Sequence, residues 1–205
     1  MRYLTTIIIA AAILPIGLAA PAAAQSIDLP KFKAVELTGG GGEVILRHGP
    51  SQRVTLLSGS TSLTRLEVPP PSVRRVGNTT THDGGETLVI NACNGDCPRN
   101  YNPKIEIVSP YFSGLAVNSG GKIIAEGEFP SQSSLGVAAG GGGVIDVSAM
   151  KARSVGAHAS GGGVIRTRPL ENLGASASGG GQILYSGSPK VGMHVEGGGV
   201  VTRAN

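Results

Sequence analysis

Four stretches of the chain read alike: LGVAAGGGGVIDV at Leu135–Val147, VGAHASGGGVIRT at Val155–Thr167, LGASASGGGQILY at Leu173–Tyr185 and VGMHVEGGGVVTR at Val191–Arg203. Their leading residues Leu135, Val155, Leu173 and Val191 are spaced 20, 18 and 18 apart. A period of about 20 residues marks stacked units, none of which can bury an apolar face alone. Within each unit the apolar residues alternate. Leu135, Val137 and Ala139 share a face in the first strand, as do Val155, Ala157 and Ala159, then Leu173, Ala175 and Ala177, and then Val191, Met193 and Val195. In the second strand Ile145 and Val147 correspond to Ile165 and Thr167, Ile183 and Tyr185, and Val201 and Arg203. Successive strand residues face opposite sides, so these sets are the expected inward faces. Stacked about 4.8 Å apart, they become internal columns of like residues.

The glycine runs Gly140–Gly143, Gly161–Gly163, Gly179–Gly181 and Gly197–Gly199 mark a sharp corner repeated in every unit. Ser148–Ser154, Arg168–Asn172 and Ser186–Lys190 form a third side, with Met150 and Leu170 as its expected plugs. An earlier unit runs from Leu115, Val117 and Ser119 through Gly120-Gly121 to Ile123 and Ala125, with Phe129 as plug. Its corner is two residues shorter, and a shift of two preserves facing. The expectation is an all-β parallel solenoid of about 18–22 residues per coil over residues 111–203. Upstream, residues 32–110 are expected to be β-rich but irregular, with strands at Phe32–Leu37, Glu43–His48, Arg53–Ser58, Leu63–Val68, Thr87–Ala92 and Lys104–Val108. Pro69-Pro70-Pro71 and Thr79–Gly85 read as exposed turns. Helical periodicity is absent after the first segment, and residues 25–205 are expected to form one domain.

That first segment, residues 1–24, reads as a secretory signal. Arg2 is its positive start, Ile7–Ala20 its apolar stretch, and Ala22-Ala23-Ala24 a small-residue cleavage site before Gln25. The chain is thus expected to be exported, periplasmic or extracellular, with no transmembrane segment once cleaved. The net charge of +4 loses one unit with Arg2. The remaining basic residues are scattered, whereas nucleic-acid binding calls for a concentrated stripe. The two cysteines, Cys93 and Cys97, flank Asn94-Gly95-Asp96, a sequence that turns readily. In an oxidising compartment a Cys93–Cys97 disulfide is expected rather than a reactive dithiol, because the spacing exceeds Cys-x-x-Cys and no helix follows.

Three groups of residues carry a family resemblance. Phe32, Val35 and Leu37, followed by Glu43-Val44-Ile45-Leu46, Gly49 and Arg53-Val54-Thr55, resemble the opening of the head GIN domain of putative autotransporter adhesins. Lys104-Ile105-Glu106-Ile107, Ser109-Pro110 and Leu115-x-Val117-x-Ser119-Gly120 are similar to its middle. Ser178-Gly179-Gly180-Gly181-Gln182-Ile183-x-Tyr185-x-Gly187-x-Pro189 is similar to its final coils. The resemblance spans Phe32 to Val201 and rests on the order of these degenerate motifs. It implies a right-handed, single-stranded β-helix, exported, with no established reaction and no catalytic residues. The Cys93–Cys97 insertion is not one of the features carrying the resemblance. With only Ala204-Asn205 after Arg203, a translocating barrel is not expected either.

Chemistry is sparse. His158 and His194 fall in one outward column with Ser176 between them, about 9.6 Å apart along the stack, too far to share a metal. Asp146 and Arg166 are equivalent outward positions that could form an exposed ion pair. No carboxylate pair recurs on one face for glycosidase chemistry. The acidic calcium sites and basic clusters of β-helix polysaccharide lyases are missing. Ile145 stands where a calcium-binding nonapeptide needs Asp. No phosphate loop or nucleophile elbow is present. No catalytic, cofactor or metal residue is therefore assigned.

One outward column is distinctive: Gly136, Gly156, Gly174 and Gly192, flanked by His158 and His194. The plainer reading is that glycine relieves crowding or an unusual backbone angle at the strand start. The sharper one is an interaction face for another chain or an extended polymer. The last coil, Val191–Arg203, offers an open edge through which a second copy could associate. The expected function is a non-catalytic, adhesin-like or structural module at the bacterial cell envelope, with a protein or glycan ligand. The alternatives are a polysaccharide-acting enzyme and a purely self-assembling subunit.

Overall fold

The computed structural model describes residues 24–76, 79–83 and 85–204. The signal segment lies outside them, apart from Ala24. Among the described residues there are seventeen strands and no helix. Fifteen strands form one strongly curled mixed sheet, and two form a separate hairpin.

The first five strands are β1 (Gln25–Ile27), β2 (Ala34–Thr38), β3 (Glu43–His48), β4 (Arg53–Ser58) and β5 (Arg65–Glu67). The hairpin β6 (Ser72–Val76) and β7 (Thr79–Asp83) follows, then β8 (Thr87–Asn91) and β9 (Lys104–Ser109). Next come β10 (Gly114–Val117), β11 (Lys122–Ala125), β12 (Gln132–Ala139) and β13 (Val144–Ala159). The chain closes with β14 (Val164–Ala177), β15 (Gln182–Tyr185), β16 (Lys190–Val195) and β17 (Val200–Arg203).

From β10 onward every pairing is parallel, and from β12 onward the main ladders follow the expected register. Leu135 pairs with Val155, Val155 with Leu173, and Leu173 with Val191. Ile145 pairs with Ile165, Ile165 with Ile183, and Ile183 with Val201. The earlier unit aligns Leu115 with Val137, the shift of two that keeps its facing. The long strands β13 and β14 belong to both ladders, and this joins the two into one curled sheet. Leu135, Val155, Leu173, Ile145, Ile165 and Ile183 are all buried.

Two kinds of glycine build each corner. Gly161 and Gly162 have φ of 55° and 83°, and Gly179 and Gly180 have 55° and 81°, a left-handed backbone that other residues enter at a cost. The third glycine is needed for space instead. A Cβ on Gly163, Gly181 or Gly199 would sit inside the backbone carbonyl of Ala139, Ala159 or Ala177 on the neighbouring layer.

The third side departs from expectation at one residue. Met150 is buried as anticipated, but Leu170 is 43% exposed. Pro169 takes the inward place and pairs with Ala152. The preceding unit is two residues longer, and the ladder shifts register between Asp146 and Lys151. Counting a fixed three residues past the second strand therefore lands one residue off, and a slip of one turns a strand side chain to the opposite face.

The N-terminal half is β-rich and irregular as expected, but the single-stranded parallel β-helix that the resemblance implies from Phe32 onward does not run through it. β4 pairs antiparallel with both β9 and β1, and β5 pairs antiparallel with β8. Stacking order also leaves chain order. β2 lies between β8 and β10, and β3 between β9 and β11, all in parallel. Thr79–Asp83, expected as a turn, is a strand paired with Ser72–Val76. Its run of β-branched threonines favours extended backbone over a turn.

Cys93 and Cys97 form the expected disulfide, with Cα atoms 6.0 Å apart. Their loop packs beside the β4–β5 connection. Asn94 N–H donates to the Leu63 carbonyl at 2.7 Å. The Tyr101 hydroxyl accepts from Ser60 N–H at 2.8 Å and lies 2.7 Å from Thr64 Oγ1.

Candidate interaction faces

The glycine column lies where the repeat placed it. Gly136, Gly156, Gly174 and Gly192 are directly paired on successive layers. The structure adds Gly114, which pairs with Gly136. Sequence reasoning missed it because the preceding unit was aligned two residues differently. Five layers make a bare strip about 19 Å long. His158 and His194 stand beside it with Ser176 between them.

These glycines do not serve packing. None of the five has a positive φ. A Cβ at Gly156, Gly174 or Gly192 would meet nothing within 4 Å, and at Gly136 only the Ser113 carbonyl at 3.8 Å. The crowding explanation fails for this column, although it holds at the corners. Glycine in a strand interior is destabilising by about 0.5–1 kcal/mol relative to Ala, so the bare strip carries a small energetic cost without a packing benefit. A shallow hollow of about 640 Å³ lies over Gly156, Gly174 and Gly192, rimmed by His158 and His194.

The other ladder presents charge. Glu43 lies between Lys104 and Lys122 on adjacent strands, at 2.9 and 2.8 Å. Arg47 bridges Glu106 and Glu126 at 3.0 and 2.7 Å. Hydrogen bonds from Lys122 and then Lys104 hold the Glu43 carboxyl below its ordinary value. A carboxylate depressed in the folded state stabilises above its unfolded pKa and loses that contribution as pH falls through the folded value. Glu43→Gln is thus expected to cost about 1 kcal/mol at pH 7, because the lysine heads remain solvated. The difference from the parent should close as urea titrations are taken from pH 7 to below the ordinary carboxylate range. A gap that persists unchanged at low pH would refute it.

Asp146 and Arg166 pair on adjacent strands as expected, but the Asp146 carboxylate accepts Ser148 N–H at 3.1 Å, and no ion pair between the two is among the described contacts. His194 Nε2 lies 2.6 Å from Glu196, the residue just past the end of β16. A cleft of about 590 Å³ opens between Leu29, Gln52 and Tyr111. Several of its polar groups are engaged with neighbouring residues. The Gln52 amide spans the Phe32 backbone, accepting from its N–H and donating to its carbonyl, and Lys33 pairs with Glu86 at 2.6 Å. Among the described residues no cluster of three His, Cys, Asp or Glu could hold a metal, and no helix is long and apolar enough to cross a membrane.

Fold and faces together define an all-β protein with broad lateral surfaces rather than a convergent polar centre. Residues 113–189 match the family described as "Putative auto-transporter adhesin, head GIN domain", and this stretch of the chain is similar to that family. The match includes the closing motif and the Leu115–Gly120 part of the middle one, while Lys104–Pro110 and the opening motif at Phe32–Thr55 fall outside it. A crystal structure of a putative adhesin from Bacteroides fragilis NCTC 9343 is similar at a TM-score of 0.53 and 17% identity, covering 90% of this chain and 99% of that one. A putative adhesin from Parabacteroides merdae ATCC 43184 is similar at a TM-score of 0.40 and 14% identity, covering 89% and 96%. The Bacteroides structure shares the fold. No curated protein matches the sequence.

Proposed function

We propose that the chain is a non-catalytic, adhesin-like interaction module of the bacterial cell envelope, and that the glycine strip is its contact face. The observation that carries this reading is the empty space above Gly156, Gly174 and Gly192, where neither backbone angle nor packing requires glycine. A strip without side chains lets a flat or extended ligand reach van der Waals contact with successive strands. His158, Ser176 and His194 supply hydrogen-bonding groups along its margin. Weak contacts repeated at a fixed rise add up along such a face. The ligand class is a surface protein or a glycan. In the same reading, residues 1–24 direct export and are cleaved near Ala24, and residues 25–205 act as one domain in the periplasm or at the cell surface. The parallel layers of residues 114–203 are then successive turns of a right-handed β-helix.

The test is Gly156→Thr with Gly174→Thr. Threonine suits a strand and has room at both positions, so thermal stability should hold or rise. Binding to an array of envelope glycans and surface proteins should fall by about tenfold or more as the methyl and hydroxyl groups hold the ligand off. A folded double variant that binds its targets as the parent does would remove the strip from function.

A further inference from the structure

We propose that β16 is an isologous interface, pairing antiparallel with β16 of a second copy about a two-fold axis through Met193. The two ends of the sheet are unlike. One end is closed by the three-residue strands β1 and β5, both antiparallel to their neighbours, and β5 carries an Arg65–Glu67 ion pair at 2.7 Å. Short, charged edges resist pairing. At the other end β16 is six residues long and, among the described residues, pairs only with β14. Met193 and Val195 continue the inward columns of Ala175 and Ala177, yet they are 57% and 44% exposed. Of the four exposed large apolar residues among the described ones, three, Met193, Val195 and Val200, lie in this last layer. Because the ends differ, head-to-tail stacking would set this open apolar edge against a closed charged one. End-to-end pairing of like edges avoids that mismatch.

Backbone parity then restricts the register. Directly after the strand, Glu196 N–H donates to the Ala177 carbonyl at 2.9 Å, so the even-numbered residues of β16 direct their backbone groups toward β14. The odd-numbered residues Val191, Met193 and Val195 therefore direct theirs to the open edge. An antiparallel partner must set odd residues against odd. With Met193 opposite its own copy, Val191 meets the partner's Val195 and Lys190 meets the partner's Glu196. Gly192 leaves room for the partner's His194. Every inward pair is apolar, and both outward terminal pairs are oppositely charged. Shifting the register by two residues in either direction loses the two Lys190–Glu196 pairs. The association also places two glycine strips end to end, although it stands independently of any ligand for that face.

Sedimentation of the purified full chain from roughly 1 µM to 1 mM tests the proposal. A monomer–dimer equilibrium is expected, with no larger species. Met193→Lys places two like charges on the axis and should abolish the dimer. Lys190→Glu and Glu196→Lys should each weaken it by about tenfold, since each disturbs two symmetric pairs. The double exchange should restore it. These side chains are at the exposed edge, and circular dichroism confirms that each variant is folded. A monomer throughout, open-ended growth, or a dimer indifferent to all these changes would overturn the proposal.

Discussion

Gly163→Ala is expected to destabilise the protein by about 3 kcal/mol or more, although it adds a single methyl group. That methyl would occupy the space of the Ala139 carbonyl, a backbone atom of the adjacent layer. The layers cannot separate locally, because Val164 N–H donates to the Gly143 carbonyl at 2.9 Å and Ser160 N–H to the Ala139 carbonyl at 2.9 Å on either side of the corner. For a domain of this size the loss corresponds to a fall in Tm of about 6–12 °C. Gly156→Ala, only seven positions earlier in the chain, should leave Tm unchanged or slightly raised. Thermal melts of the two variants give the decisive comparison. Equal melting temperatures would mean that the corners are more compliant than their geometry implies.

Ile145→Ala is expected to cost about 3–4 kcal/mol, and Ile145→Val about 1 kcal/mol. Ile145 sits within a column that runs from Ile105 through Val44 and Ile123, then on to Ile165, Ile183 and Val201, each directly paired with the next. Ile105, Val44, Ile123, Ile145, Ile165 and Ile183 are fully buried. Ala139, Ala159 and Ala177, in the same buried core, belong to strands fixed by their own ladders, so they cannot collapse into a cavity. The equivalent change at the end of the column, Val201→Ala, should cost well under half as much, because Val201 is only partly buried. Denaturant midpoints for the three variants test this ranking, and equal losses at Ile145 and Val201 would contradict it.

The C-terminal architecture was legible because identical layers force identical register. Leu135, Val155, Leu173 and Val191 had to align once the glycine runs aligned, and the ladders place them so. Leu170 was misplaced because the unit before it accommodates two extra residues, which spacing counted from one strand cannot locate. The antiparallel strands β1, β4 and β5 were hidden for a different reason. Alternation shows which side of a strand is apolar but carries nothing about the direction of its neighbour. The glycine strip was visible in the sequence, but its meaning was not. Corner glycines and face glycines are the same letter, and only the space around a Cβ separates them.

The placement of β2 and β3 between later strands has a consequence for the order in which the protein acquires structure. Lys33 bonds to residues 53 and 80 positions away in sequence, Glu86 and Ser113, whereas Ser154 and Asn172 in the later layers meet over a separation of 18. Closing the long loops costs chain entropy before any contact rewards it. A chain emerging amino terminus first therefore holds β2 and β3 without partners until residues 87–125 have appeared. Nucleation waits for more than half the polypeptide, and the remaining layers then add one at a time over short loops. Such a sequence of events keeps β2 and β3 extended and postpones rapid zippering until the nucleus is complete.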